Sequence, residues 1–380
     1  MFFLILLKNF IKGSKLDRFI RIILNYLTPQ YYKISNKFEY SNNNNFVFIC
    51  YGGLGDCILL IPLLNQLSIK YSLTVFIEHN LKDIRYLLDT NIKVKSYFKK
   101  NLLKNLQAFQ RETNNIILIQ QSPIIEFVLF HYFLKRPPTI GFIYKQDIIS
   151  CEGINLLDKK IESLNKIFKY KALLEFICSI NIQNNRKYKN TYINNFSYKA
   201  IPKKKYYILS PTKNHNWKMG FFAFETYAKL IIKLTEQCDL IPVIVGTKMD
   251  CMIINQILDY IPKKIILKNL VGKTSIKNLI PLIKDAQFII ANDNGIHHLS
   301  NYLKKRTLTL YNFSSYKTYN WPNKNSDYMF NPIFNCMPCV GEDNGPSDNY
   351  PFKCPWDIRC KNTLIETNII KKLGDLKWIN

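Results

Sequence analysis

The sequence predicts an α/β protein with two doubly wound parallel sheets facing a cleft. Three observations point there. Short apolar runs alternate with longer helical stretches from residue 46 onward, the alternation restarts near residue 206, and a polar stretch separates the two series. Strand–helix alternation with short connections favours a parallel sheet covered on both faces. The length agrees: 380 residues make roughly two domains of about 150 each, and either can bury a full core.

In the first series, residues 46–51, 73–77, 115–119 and 139–142 read as strands, and 57–71, 81–88, 102–111 and 161–180 as helices. The stretch 181–205, rich in lysine and asparagine, reads as the connection. In the second series the strands are 206–210, 240–245, 265–270, 287–291 and 307–311, and the helices 222–235, 252–260, 275–284 and 296–303. A last periodic segment, 363–373, is expected to form a helix packing back toward the cleft. The predicted division is an extension over 1–44, a first domain over 45–200, a second over 201–362 with a cysteine-rich loop at 336–360, and a C-terminal helix in 363–380.

The extension differs from the rest of the chain. Leu16, Phe19, Ile20, Ile23, Leu24 and Leu27 recur at helical spacing, and seven basic residues stand against two acidic ones. Such a basic amphipathic helix suits an anionic membrane surface, and equally suits packing on the body of the protein. No uninterrupted run of eighteen apolar residues occurs; 116–134 is broken by Gln120, Gln121, Pro123, Glu126 and His131. The opening MFFLILL lacks a basic start and a small-residue cleavage site, so a secretory signal is not expected.

The chain carries 53 basic and 27 acidic side chains, a formal net charge of +26. Only eight of the basic residues are arginine, and lysine is spread throughout, as AT-rich codon drift would produce. No RNA-binding aromatic motif, zinc-finger helix or basic zipper is present, so no nucleic-acid partner is expected. Six of ten cysteines are scattered singly, which fits a reducing, cytoplasmic compartment.

Three places can carry chemistry. Gly52-Gly53-Leu54-Gly55-Asp56 joins a strand to a helix, where glycines admit a tight turn and free N–H groups can meet an anion. It lacks the third glycine of a dinucleotide fingerprint and the Gly-Lys-Ser/Thr of a Walker loop. Asp56 there is either a general base or a helix cap. Asn292-Asp293-Asn294-Gly295-Ile296-His297-His298 is a second strand-to-helix turn. Asp293 can hydrogen-bond a sugar hydroxyl, the N–H groups of Asn294 and Gly295 can meet a diphosphate, and His298 can reach the same anion; an ordinary cap with a histidine pair explains the residues equally. The third is Cys336-x2-Cys339-x14-Cys354-x5-Cys360, whose four thiols can hold one structural zinc or iron ion, or stand free.

Taken in order, these segments resemble glycosyltransferase family 9, the ADP-heptose:lipopolysaccharide heptosyltransferases. The likeness rests on the run 52–62, on Val271-Gly272-Lys273-Thr274-Ser275, on Asn292 to Ser300 beside the family's D-[ST]-G-x-x-H-[LI] signature, and on the cysteine-rich tail. The resemblance implies a GT-B architecture of two Rossmann-like domains, with acceptor in the first and nucleotide-sugar in the second, and inverting chemistry without a catalytic metal. It implies Asp56 as the base, and Gly55, Thr212, Lys213, His215, Lys218, Thr274, Asp293, Asn294, Gly295 and His298 as the donor-binding set. His215 falls where the family carries a phosphate-binding lysine, with Lys213 and Lys218 close by. The implied partners are an ADP-heptose-like donor and a lipid-linked glycan or protein acceptor, at the inner face of the membrane. A non-catalytic nucleotide-sugar-binding protein is the alternative of a different class.

Overall fold

The computed structural model describes residues 45–50, 52–98, 116–118, 139–143, 150–155, 166–178, 196–213, 221–321, 323–339 and 359–379. The expected extension over 1–44, the helix at 102–111, most of the 181–205 connection, His215, Lys218 and Cys354 lie outside them.

The first half contains strands β1 (Asn45–Cys50), β2 (Ser72–Glu78), β3 (Lys93–Tyr97), β4 (Ile116–Leu118), β5 (Thr139–Ile143) and β6 (Ser150–Asn155). Helix α1 (Leu54–Leu67) follows β1, a 3₁₀ segment (His79–Leu87) follows β2, and α2 (Lys166–Cys178) follows β6. The second half contains β7 (Tyr206–Ser210), α3 (Phe224–Gln237), β8 (Ile241–Ile244), α4 (Cys251–Leu258), β9 (Lys268–Asn269), α5 (Ile276–Asp285), β10 (Ile289–Asn292), α6 (Gly295–Tyr302), β11 (Thr307–Tyr311), α7 (Tyr316–Tyr319) and β12 (Ser326–Phe330). Helix α8 (Glu366–Asp375) is the last helix among the described residues.

Both sheets are parallel and six-stranded, ordered β3-β2-β1-β4-β5-β6 and β12-β11-β10-β7-β8-β9. Counted from its own first strand, each half has the same order, that of doubly wound nucleotide-binding sheets. The order in which strands are added reverses between β1 and β4 and again between β7 and β10. The loops leaving those strands diverge there, opening a crevice at the carboxyl ends.

Burial explains the strand sequences. Interior strands β7, β10 and β11 are buried at every position, because helices cover both faces. Along β7 the side chains alternate: Tyr206 and Ile208 enter one apolar cluster, Tyr207 and Leu209 another. The first cluster runs through both halves, joining Phe48, Leu60 and Leu64 to Ile208, Ile280, Leu299 and Trp321. Each fully buried leucine or isoleucine contributes about 1.5–3 kcal/mol relative to exposure. The second lies on the far face of the second sheet, under α3, α4 and α8.

Helix α8 meets that far face through Ile369 and Leu373, with Lys233 Nζ 3.1 Å from Glu366 Oε1 and Lys372 Nζ 3.0 Å from Asp327 Oδ2. None of its residues lines the cleft between the strand ends.

Candidate active site

A cavity of about 910 Å³ lies between the carboxyl ends of the two sheets. From the first half it is lined by Gly55 and Asp56 at the start of α1, by Glu78 at the end of β2, by Asn80 and Asp83 after it, and by Lys166 of α2. From the second half come Thr212 and Lys213 after β7, Thr247 to Asp250 after β8, Thr274, and Asp293 to Ile296 with His298 after β10. Every donor-set residue expected from the sequence that falls among the described residues therefore faces one cavity, as does Asp56.

Asp56 is the third residue of α1, and its Oδ2 accepts a 3.1 Å hydrogen bond from Gly53 N. The carboxylate caps the helix and stands in the cleft at once, so the two readings of the sequence are compatible. Its other oxygen, Oδ1, pairs with Lys166 Nζ and lies 3.4 Å from the Tyr170 hydroxyl, which donates to it. Burial works against the Lys166 charge, but Asp56, with smaller contributions from Tyr170 and Tyr319, holds its pKa well above the ordinary lysine value. The ammonium also lies 5.4 Å from the ring centroid of Tyr319, which belongs to the second half.

Asp293 begins the loop that leaves β10. Its Oδ2 accepts from Lys213 Nζ at 2.7 Å and from Ser314 Oγ at 2.6 Å. Burial alone would raise the Asp293 pKa; the Lys213 ammonium, aided by His297 and His298, pulls it well below the usual carboxylate range. Asp293 and Lys213 are thus an ionised, largely buried pair spanning the switch point of the second sheet.

Asn294 stitches the same point. Its Oδ1 caps α6, accepting from Ile296 N at 2.9 Å and His297 N at 3.2 Å. Its Nδ2 donates to Thr212 O at 2.6 Å and Ser210 Oγ at 2.9 Å. With the side chain spent internally, what Asn294 and Gly295 can offer a ligand in the cavity they line is backbone N–H at the start of α6.

The two halves touch closely at this place. A Cβ on Gly295 would lie 2.7 Å from Leu54 Cδ2, and one on Gly55 would lie 2.4 Å from His298 Cδ2. Only glycine lets α1 and α6 start side by side at this separation.

Asp293, His297 and His298 are, among the described residues, the set whose three possible metal-ligand atoms lie within 4.8 Å of one another. A cation there meets a carboxylate already neutralised by Lys213. The thiols of Cys336, Cys339 and Cys360 form no such set among the described residues, and none of them lines the cleft.

Lys166, Tyr170, Ser314, Tyr319 and Trp321 were not legible as site residues in the sequence. Lys166 and Tyr170 sit at i,i+4 on α2 and so share a face; that spacing was the available signal. Trp321 Nε1 donates to His298 Nδ1 at 2.9 Å across 23 positions of sequence, and no local pattern announces such a contact.

Two doubly wound domains with a polar cleft between their strand ends define the GT-B class of proteins. The family model of glycosyltransferase family 9 (heptosyltransferase) matches residues 114–347. The chain belongs to that family. Lipooligosaccharide heptosyltransferase 2 of Campylobacter jejuni is 28% identical over 160 residues, 42% of this chain and 46% of the relative. The chain thus spans less than half the length of the curated relatives it matches. Among solved structures, the family 9 glycosyltransferase of Veillonella parvula superposes with a TM-score of 0.63 at 16% identity, covering 90% of this chain and 99% of that one. The ADP-heptose LPS heptosyltransferase II of E. coli gives 0.62 at 15%, covering 87% and 98%. The iron-containing dodecameric glycosyltransferase TibC of enterotoxigenic E. coli gives 0.55 at 11%, covering 88% and 76%. These likenesses establish the fold.

Proposed function

We propose that the protein is an inverting glycosyltransferase that moves a sugar, heptose in the favoured form, from a nucleotide diphosphate donor to a surface-glycan acceptor. The observation that carries this reading is that Asp56 and Asp293, one from each half, line the same cleft. In this reading Asp56 takes the proton from the acceptor hydroxyl as its oxygen attacks the anomeric carbon from the face opposite the leaving group. A carboxylate suffices, because the transition state is oxocarbenium-like and the proton need leave only as the new bond forms. On the other wall, the N-terminus of α6 and the Lys213 ammonium receive the diphosphate, whose charge grows as the glycosidic bond breaks. Asp293 holds Lys213 in place for that anion. The E. coli relatives named for ADP-heptose support an ADP-sugar donor.

The reading is tested by transfer assays with ADP-heptose and other nucleotide-sugars, paired with thermal shift in the absence of acceptor. A true donor raises the melting temperature by mass action. Asp56→Asn should keep that shift while losing about a hundredfold or more in kcat. Full activity in that variant would remove Asp56 as the base, and an absence of both shift and transfer for every donor would remove the enzyme.

A further inference from the structure

We propose that Trp321 is a positioning residue that locks His298 in its Nε2–H tautomer, so that the cleft is offered an uncharged N–H donor beside the start of α6. An indole nitrogen carries a hydrogen and has no lone pair to give. The 2.9 Å contact from Trp321 Nε1 therefore requires a bare Nδ1 on His298. A neutral imidazole with a bare Nδ1 carries its hydrogen on Nε2.

The ring is fixed in that orientation from its other side, since its Cδ2 and Nε2 lie against the backbone of Gly55 with no room for a methyl. Nε2 lies 3.8 Å from Asp293 Oδ1, beyond hydrogen-bond distance. His298 lines the cleft. An N–H presented to the cleft is free to donate to an oxygen of a bound substrate. Burial and the neighbouring His297, Lys166 and Lys213 outweigh Asp293 and hold the His298 pKa well below the ordinary value, which keeps the ring neutral.

The adjacent histidine is held the other way round. His297 Nδ1 lies 3.2 Å from Asn294 O, a carbonyl that can only accept, so Nδ1 carries a hydrogen in that contact, and its Nε2 lies 3.5 Å from the Tyr311 hydroxyl. Neither ring turns a lone pair toward Asp293.

The lock itself does not depend on the sugar-transfer reading; only the kinetic consequence rests on it. The experiment is histidine-selective ¹⁵N labelling of the full chain, with His298→Asn assigning the resonance by its loss. At neutral pH the wild type should show a protonated Nε2 and an unprotonated Nδ1 at His298. A protonated Nδ1, in either the neutral or the imidazolium form, would overturn the proposal, and this measurement needs no folded variant at position 321. Trp321→Phe should then give mixed tautomers at His298 and about a tenfold fall in kcat, with the donor KM little changed. An unchanged His298 spectrum in Trp321→Phe would overturn the lock. The predicted wild-type spectrum in a protein inert toward every donor would uphold the lock and refute the transfer reading.

Discussion

At the scale of single residues, the cleft is a set of charges already paired in the protein. Asp293→Asn leaves the Lys213 ammonium facing an amide in a site only 14% exposed. Nucleotide affinity measured by calorimetry should fall about tenfold or more, and breaking the pair should cost about 3 kcal/mol of folding stability. Unchanged affinity would count against the donor assignment. The neighbouring His297 makes stability depend on pH. In an unfolded chain histidine binds its proton near pH 6.5, whereas burial, only partly offset by Asp293, pushes His297 down to about 4. Between those values the unfolded chain holds more protons. Stability therefore falls as pH drops from 6.5 toward 4, by about 3 kcal/mol, and this loss is complete below pH 4. Urea unfolding at pH 7 and pH 4.5 should show the decline in the wild type and a shallower one in His297→Gln; equal slopes would reject it. The sequence showed the turn residues Asp56 and Asp293 because strand-to-helix turns are local. It could not show their partners Lys166 and Ser314, which arrive from elsewhere in the chain.

At the scale of elements, what was legible tracked burial. Interior strands were read close to their observed limits, because a strand covered on both faces must be apolar throughout. The strands missed were β3, β6 and β12, all at sheet edges, and β9 at the remaining edge is two residues long against the six expected. An edge strand bonds on one side only, so sequences such as Lys93–Tyr97 and Ser326–Phe330 remain polar and half-exposed. The close approach of α1 and α6 was also invisible, since a glycine in a turn does not reveal what crosses it. Gly295→Ala pushes a methyl into Leu54 and should destabilise the protein by about 1–3 kcal/mol. Leu54→Ala should restore part of that loss in a double-mutant cycle of melting temperatures; strict additivity would show that the contact is not the cause.

At the scale of the whole molecule, the two halves repeat one topology and share one apolar cluster, so the cleft is walled by a continuous core. Of the clustered cysteines, the described ones, Cys336, Cys339 and Cys360, do not line the cleft. We propose that Cys336, Cys339, Cys354 and Cys360 hold a structural metal ion, a reading supported by their spacing in the sequence and by the burial of Cys339 and Cys360. Elemental analysis of protein purified under reducing conditions should find about one zinc or iron per chain, and chelation should lower the melting temperature. Metal-free, fully folded protein would reject the site. Among the described residues no helix is long and apolar enough to cross a membrane.

The Lys166 ammonium grips a carboxylate on its own side of the crevice and rests on the Tyr319 ring of the opposite side. Any widening between the halves strips that cation of its aromatic cover and lets water reach the bond with Asp56. The Asp56 carboxylate is thus wired to the gap itself, and its surroundings change whenever the two walls part.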